Sequence, residues 1–244
     1  GDAAKLHEAL AAVTNLPPPS QASPAAVGDL FDRYADRFDQ HLRETLGYRV
    51  PELIAAAVEQ ARAAAGQARP AEPMDVLDLG CGTGLCGPLL RRMAGAGLLA
   101  GVDLSPAMIE RARGRGVYDR LEAADLLEAL GKRPAAYDLL VAADVLIYFG
   151  DLTPIFEPAV AALRPGGLFA FSVEAGEGER FQFHPATRRY AHAEPYLRRL
   201  ADIFGLRVVK LDPITGRTEA GKPVPGFLVL LAALSGGPSR EAAG

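Results

Sequence analysis

Short apolar runs alternate with segments of helical period from Met74 to Glu174. Val76–Leu79, Leu98–Val102, Leu121–Ala124, Tyr137–Ala142 and Leu168–Val173 read as strands. Leu85–Met93, Pro106–Arg113, Leu126–Leu130 and Pro154–Leu163 read as the helices between them. Near-continuous apolar strands separated by helices predict a parallel sheet covered on both faces. After a polar stretch through His192, a helix over Glu194–Phe204 precedes two strands, Arg207–Leu211 and Phe227–Leu234. Their connection, DPITGRTEAGKPVP, is rich in turn residues and holds no helical pattern, so these strands are antiparallel. Upstream, Phe31, Tyr34, Phe38, Leu42 and Leu46 fall at helical spacing, and Pro51 opens a second helix through Ala65. Ala3–Val13 reads as a short helix, cut off by the Pro/Ser-rich stretch Asn15–Pro24. The expected organisation is an N-terminal helix and linker over 1–24, a helical cap over 25–66 and an α/β core over 67–236.

Composition narrows the picture. The 244 residues carry a formal net charge of −4, which argues against a nucleic-acid partner. The longest apolar run, Phe227–Leu234, is far short of the ~20 residues that a membrane helix needs. No basic segment followed by an apolar stretch opens the chain, so no leader is expected. Cys81 and Cys86 stand without a second pair for a metal site, and a reducing cytoplasm is the expected compartment.

The candidate chemistry begins at VLDLGCGTG, where an apolar strand runs into alternate glycines before a helix. Glycines let backbone approach a ligand closely. Asp78 distinguishes between ligands. A dinucleotide would put its anionic pyrophosphate at the helix start, where a carboxylate repels it. S-adenosylmethionine (SAM) presents an ammonium and a sulfonium instead, which a carboxylate attracts. Asp103 ends the next strand and suits the hydroxyls of a ribose. Asp125 follows the third and suits an adenine amine, with the Leu126 N–H facing a ring nitrogen. Each acid also has a purely structural alternative, as a helix cap or a loop-ordering carboxylate.

VLDLGCGTG, GVDLSPAMIERAR, EAADLLE, YDLLVAADVLIYF and LRPGGLFAFSVE together resemble class I SAM-dependent methyltransferases. The resemblance implies a three-layer Rossmann-like fold whose seven-stranded, mostly parallel sheet has one antiparallel strand. It places Asp78 and the loop through Gly80, Cys81 and Gly82 at the methionine part of SAM. It places Asp103 and Leu104 at the ribose, Asp125 and Leu126 at the adenine, and Met108 packed nearby. LFDRYADRFDQHL and the RYAH and KPVPGFLVLL segments further resemble bacterial methyltransferases that often follow tetratricopeptide-type repeats, which would make Ala3–Val13 the remnant of such a repeat region.

On the acceptor side, the resemblance implies that the helix over Phe31–Leu46 is a lid, with Tyr34 and Phe38 lining the methyl channel, and the alternative is an amphipathic helix packed on the sheet edge. Asp144 and Tyr148 follow the fourth strand, Asp144 toward an ammonium and Tyr148 toward the acceptor. His184 and His192 are candidate general bases. Arg188, Arg189, Arg198 and Arg199 form a basic cluster that an anionic or acyl-carrier-bound substrate could use, or that is a solvated helix face. The expected activity is methyl transfer to an O, N or C atom of a small molecule, with S-adenosylhomocysteine (SAH) as product. The alternatives are a SAM-binding sensor or scaffold without turnover and, disfavoured by Asp78, a NAD-dependent oxidoreductase.

Overall fold

The computed structural model describes residues 21–34, 39, 47–65, 73–219 and 221–234. The strands are β1 (Val76–Leu79), β2 (Leu99–Asp103), β3 (Arg120–Ala123), β4 (Tyr137–Ala142), β5 (Leu163–Gly176), β6 (Phe181–His184), β7 (Arg189–Ala193), β8 (Leu206–Glu219) and β9 (Lys222–Ala233). The helices are α1 (Pro24–Tyr34), α2 (Val50–Ala64), α3 (Gly87–Ala94), α4 (Pro106–Gly114), α5 (Leu126–Gly131), α6 (Thr153–Ala162) and α7 (Glu194–Ile203).

The strands join in the order β3-β2-β1-β4-β5-β7-β6, with β9 pairing both β5 and β8. The β1 to β5 pairings are all parallel. Alternate residues of each strand feed two apolar clusters. Leu77, Leu140, Phe169, Phe171 and Val229 pack with Phe156 of α6 and Leu197 of α7. Val76, Leu139, Val141, Ala170 and Leu230 pack with Ile54 and Val58 of α2 and Leu90 of α3. Both faces of the sheet are thus covered, which is why its strands read as continuous apolar runs.

The sheet has nine strands rather than seven, and antiparallel pairing joins β5 to β9, β8 to β9 and β6 to β7. Two misreadings account for the difference. The polar stretch after Glu174 holds the β6–β7 hairpin, in which Phe181 and Phe183 oppose His192 and Tyr190. Apolar residues at alternate positions carried that signal, diluted by charged neighbours. The supposed connection DPITGRTEAGKPVP is itself mostly strand, with Pro213 opposite Phe227 and Pro225 opposite Thr215. Pro213 is tolerated because β8 is an edge strand and Pro225 because it lies before the stretch of β9 that pairs with β5, and two register shifts absorb the irregularity. The antiparallel relation of Arg207–Leu211 to Phe227–Leu234 is as expected.

Ala3–Val13 and most of the Phe31–Leu46 helix, Phe38 included, lie outside the described residues. Within them, no helix is long and apolar enough to cross a membrane.

Candidate functional site

The carboxyl ends of β1, β2 and β4, the start of α5 and helix α1 enclose a cavity of about 490 Å³. This is within the range of small-molecule sites, about 300–1,000 Å³. Gly80, Cys81, Gly82, Asp103, Leu104, Asp125, Leu126, Asp144 and Tyr148 all line it. Their order follows the sheet. Asp125 stands past β3, Asp103 at β2, the glycine loop at β1 and Asp144 at β4.

The loop is held open by local geometry. Gly80 has φ +64, and a Cβ there would lie 2.5 Å from Val145 Cγ2. Only glycine meets both conditions. The Gly82 N–H donates to Asp103 Oδ2 at 2.9 Å, and the Ser105 N–H donates to Asp103 Oδ1 at 2.9 Å. Asp103 therefore clasps the loop to the start of α4, and burial pushes its carboxyl up. Ser105 caps α4, accepting from the Met108 N–H at 3.1 Å. Asp125 caps α5, accepting from the Leu127 N–H at 2.8 Å, while lining the cavity. Capping the helix therefore does not take Asp125 away from the cavity.

Three expected ligand contacts lie elsewhere. Asp78 is 1% exposed and does not line the cavity. It sits beneath the loop, where the Tyr118 hydroxyl donates to its Oδ2 at 2.7 Å. Burial raises its pKa to about 7 against the opposing hydrogen bond from Tyr118. Met108 is fully buried and does not line the cavity. His192 is fully buried, with Nε2 3.1 Å from the Gly150 carbonyl and its ring stacked on Tyr196. It does not line the cavity, and burial lowers its pKa to about 4. A packed neutral imidazole on β7 is not a base at this cavity. His184 is an exposed residue of β6 and likewise does not line it.

Tyr118 is a residue that sequence reasoning missed. A Cβ on Gly84, Gly87 or Gly101 would lie within 3.0 Å of its ring. These three glycines make room for a tyrosine that supports the loop from below.

Asp144 has φ +55. Its N–H donates to Ser172 Oγ at 2.9 Å, and that hydroxyl donates back to Asp144 Oδ1 at 2.7 Å. Arg217 Nη1 donates to Oδ2 at 3.1 Å. Arg217 is 6% exposed, and its Nε and Nη2 reach Glu219 (2.9 Å) and Glu174. Burial works against its charge, but these carboxylates outweigh it and push its pKa up. Arg189 bonds the same Glu219 oxygen, and lies 3.4 Å from the same Glu174 oxygen. Nothing in the sequence marked Arg217 or Glu219, which sit in the stretch that looked like a turn. The expected four-arginine cluster does not form. Arg198 pairs with Glu194 and Arg199 with Glu179 on the surface, and of the four only Arg189 lines the cavity.

Helix α1 covers this cavity with Val27, Leu30 and Phe31. Phe31 meets the Tyr148 ring edge-on at 5.8 Å. The Ala22 N–H donates to the Tyr148 carbonyl at 2.8 Å, and the Ser105 hydroxyl donates to Asp32. Asp39 further accepts from Thr83 and pairs with Arg115. Tyr34 lies in α1, and its side chain is outside what is described. Among the described residues, no cluster of His, Cys, Asp and Glu is arranged to hold a metal.

Comparison with known proteins agrees with this geometry. Residues 76–167 match the family described as a methyltransferase domain. No curated protein matches the chain. Magnesium protoporphyrin IX methyltransferase from Synechocystis PCC 6803, solved with bound SAH, superposes with a TM-score of 0.62 at 15% identity, covering 86% of this chain and 99% of that one. The (4+2)-cyclase SpnF superposes with a TM-score of 0.66 at 15% identity, covering 91% and 98%. A putative methyltransferase from Haloferax volcanii, solved in complex with the Trm112 methyltransferase activator, gives 0.61 at 20% identity, covering 84% and 97%. The chain is thus similar to the methyltransferase domain family over residues 76–167, and over most of its length it has the fold of these structures.

Proposed function

We propose that the chain is a SAM-dependent methyltransferase acting on an O, N or C atom of a small molecule, with SAH as product. The observation that carries this reading is one cavity reached by the glycine loop, Asp103 and Asp125 from successive strand ends. The donor set suits the cofactor. Asp103 offers carboxylate acceptors to ribose hydroxyls, and Asp125 with the Leu126 N–H faces the adenine edge. Gly80, Cys81 and Gly82 leave backbone exposed for the methionine part, and Leu104 and Tyr34 belong to the same wall and lid. Bound there, SAM supplies a methyl group activated by its sulfonium. The protein's contribution is alignment and exclusion of water. Helix α1 closes the apolar wall, and Tyr148 and Asp144 stand where β4 meets the acceptor half. Asp78 acts through the loop that it supports. A small-molecule acceptor, a cytoplasmic setting and a preceding repeat region complete the reading.

Calorimetric titration with SAM, followed by SAH release across an acceptor panel with labelled methyl donor, tests it. Absence of SAM binding would overturn it. A second reading, SAM binding without transfer, is favoured by one observation. Asp144 is already engaged by Ser172 and Arg217. The likeness to SpnF adds that this fold is compatible with other chemistry. SAM binding with no SAH formed across the panel would support it.

A further inference from the structure

The adenine, ribose and methionine positions occupy β3, β2 and β1 in turn, so the part of the cavity beyond β4 is the acceptor's. The charged groups at that end come from β4, β5, β7 and β8, and they form one network. Arg217 uses Nε, Nη1 and Nη2, one on each of Glu219, Asp144 and Glu174. Its donors are therefore directed inward, at protein carboxylates. Arg189 spends Nη1 on Glu219 and Glu174, and its charge acts on the Tyr148 hydroxyl. Both glutamates receive the two arginines through Oε1, which leaves the second oxygen of each outside these bonds. Glu219 lines the cavity. Two guanidiniums face three carboxylates, a formal charge of 2 − 3 = −1. The walls around them, Val27, Phe31 and Ile147 among them, are apolar.

We propose that this network selects an acceptor with an apolar body and an N–H or O–H nucleophile that donates to Glu219, and that it excludes anionic acceptors. The proposal rests on the methyltransferase reading and adds its substrate class. An anion would meet net negative charge beside arginines that already pair with carboxylates, whereas a donor meets the Glu219 oxygen that none of these bonds uses. Burial would raise the Glu219 pKa, but Arg189 and Arg217 outweigh it and keep the group ionised. In transfer, the nucleophile's lone pair forms the bond to the methyl carbon as the carbon–sulfur bond breaks, leaving its electron pair on sulfur. The proton released from the nucleophile passes along the hydrogen bond at Glu219 to water.

The test is a fragment library balanced between amines, alcohols and carboxylic acids. It is screened by ligand-observed NMR against the chain saturated with SAH, and against Glu219→Gln in the same state. Amines and alcohols are expected among the binders about tenfold more often than acids, with that bias lost in Glu219→Gln. The relative number of amines and alcohols then assigns the reacting atom. Enrichment of acids, or an unchanged bias in Glu219→Gln, overturns the proposal while leaving the methyltransferase reading intact. Failure of SAH to bind the unaltered chain overturns that reading, and this one with it.

Discussion

The hydroxyl of Tyr118 donates to the carboxylate of Asp78 at 2.7 Å, beneath a loop whose glycines make room for the tyrosine ring. This bond favours the ionised carboxylate, against the burial that raises its pKa to about 7. Cys81, Cys86, Tyr48 and Asp103 surround the same group and offer no positive charge. In Tyr118→Phe the ring still fills the space under the loop, but more of Asp78 is neutral at pH 7. SAM affinity is expected to fall on the order of tenfold at pH 7, the value of one hydrogen bond to a charged group, and to recover toward pH 9. Calorimetry at the two pH values checks this, and equal losses at both would make Tyr118 a packing residue only.

Asp103→Ala removes the clasp between Gly82 and Ser105 together with the ribose acceptors. Two charge-assisted bonds at ~1.5–3 kcal/mol each predict a loss of SAM affinity of about a hundredfold or more. Asp103→Asn keeps one acceptor oxygen and is expected to lose less. Wild-type affinity in the alanine variant, measured by titration, would remove Asp103 from the cofactor site.

Asp78 and His192 give the cofactor-free chain opposing pH dependences. The folded pKa of Asp78, about 7, lies above its ordinary 3.8, so its contribution is greatest below pH 4 and is lost as pH rises to 7. The folded pKa of His192, about 4, lies below its ordinary 6.5, so its contribution is full above pH 6.5 and is lost as pH falls to 4. Between pH 4 and 6.5 the two slopes offset one another. Asp78→Asn is expected to leave stability rising across that window, and His192→Gln to leave it falling. Urea denaturation at pH 4.5, 5.5 and 6.5 reads both slopes.

Removing the chain through Gln40 takes away α1 but no residue of the sheet or of the glycine loop. The truncated chain is expected to unfold cooperatively and to hold SAM weakly, because Phe31 and the Ala22–Tyr148 bond no longer close the cavity. In the intact chain, SAM is expected to slow proteolysis within residues 31–46. Cleavage at the same rate with and without SAM would make the helix a structural cover rather than a lid.

The cofactor half of the site was legible because its signals are local. A strand, a glycine loop and a helix follow one another within Val76–Ala94, and Asp103 and Asp125 each stand where an apolar run ends. Patterns of this kind survive in a one-dimensional reading. Beyond β4, Asp144, Tyr148 and Arg189 were named from the sequence, but Tyr48, Arg217 and Glu219 were not legible because they join them only through pairings that span much of the chain. Arg217 was further hidden by its neighbours, since Pro213, Gly216 and Pro223 read as a loop and became strand only through the pairing of β8 with β9. His192 misled for the opposite reason. Its residue type suggests proton transfer, whereas its alternation with Tyr190 on β7 marks a buried strand face.

The register shift between Thr215 and Arg217 makes the length of β8 part of the chemistry. One residue, Gly216, stands outside the ladder there, its carbonyl accepting from the Arg49 N–H at 3.0 Å and its Cα facing Val50 too closely for a Cβ. Thr215 opposes Pro225 and Arg217 opposes Val224, so deleting Gly216 would close the bulge and leave Arg217 and Glu219 on their present face, whereas deleting Thr218 would turn Glu219 to the other face without altering its side chain. A single-codon deletion beyond the bulge would therefore act like a charge substitution at the cavity, while one at the bulge would not. Beyond the bulge, only insertions or deletions in pairs would leave the phase of Glu219 unchanged.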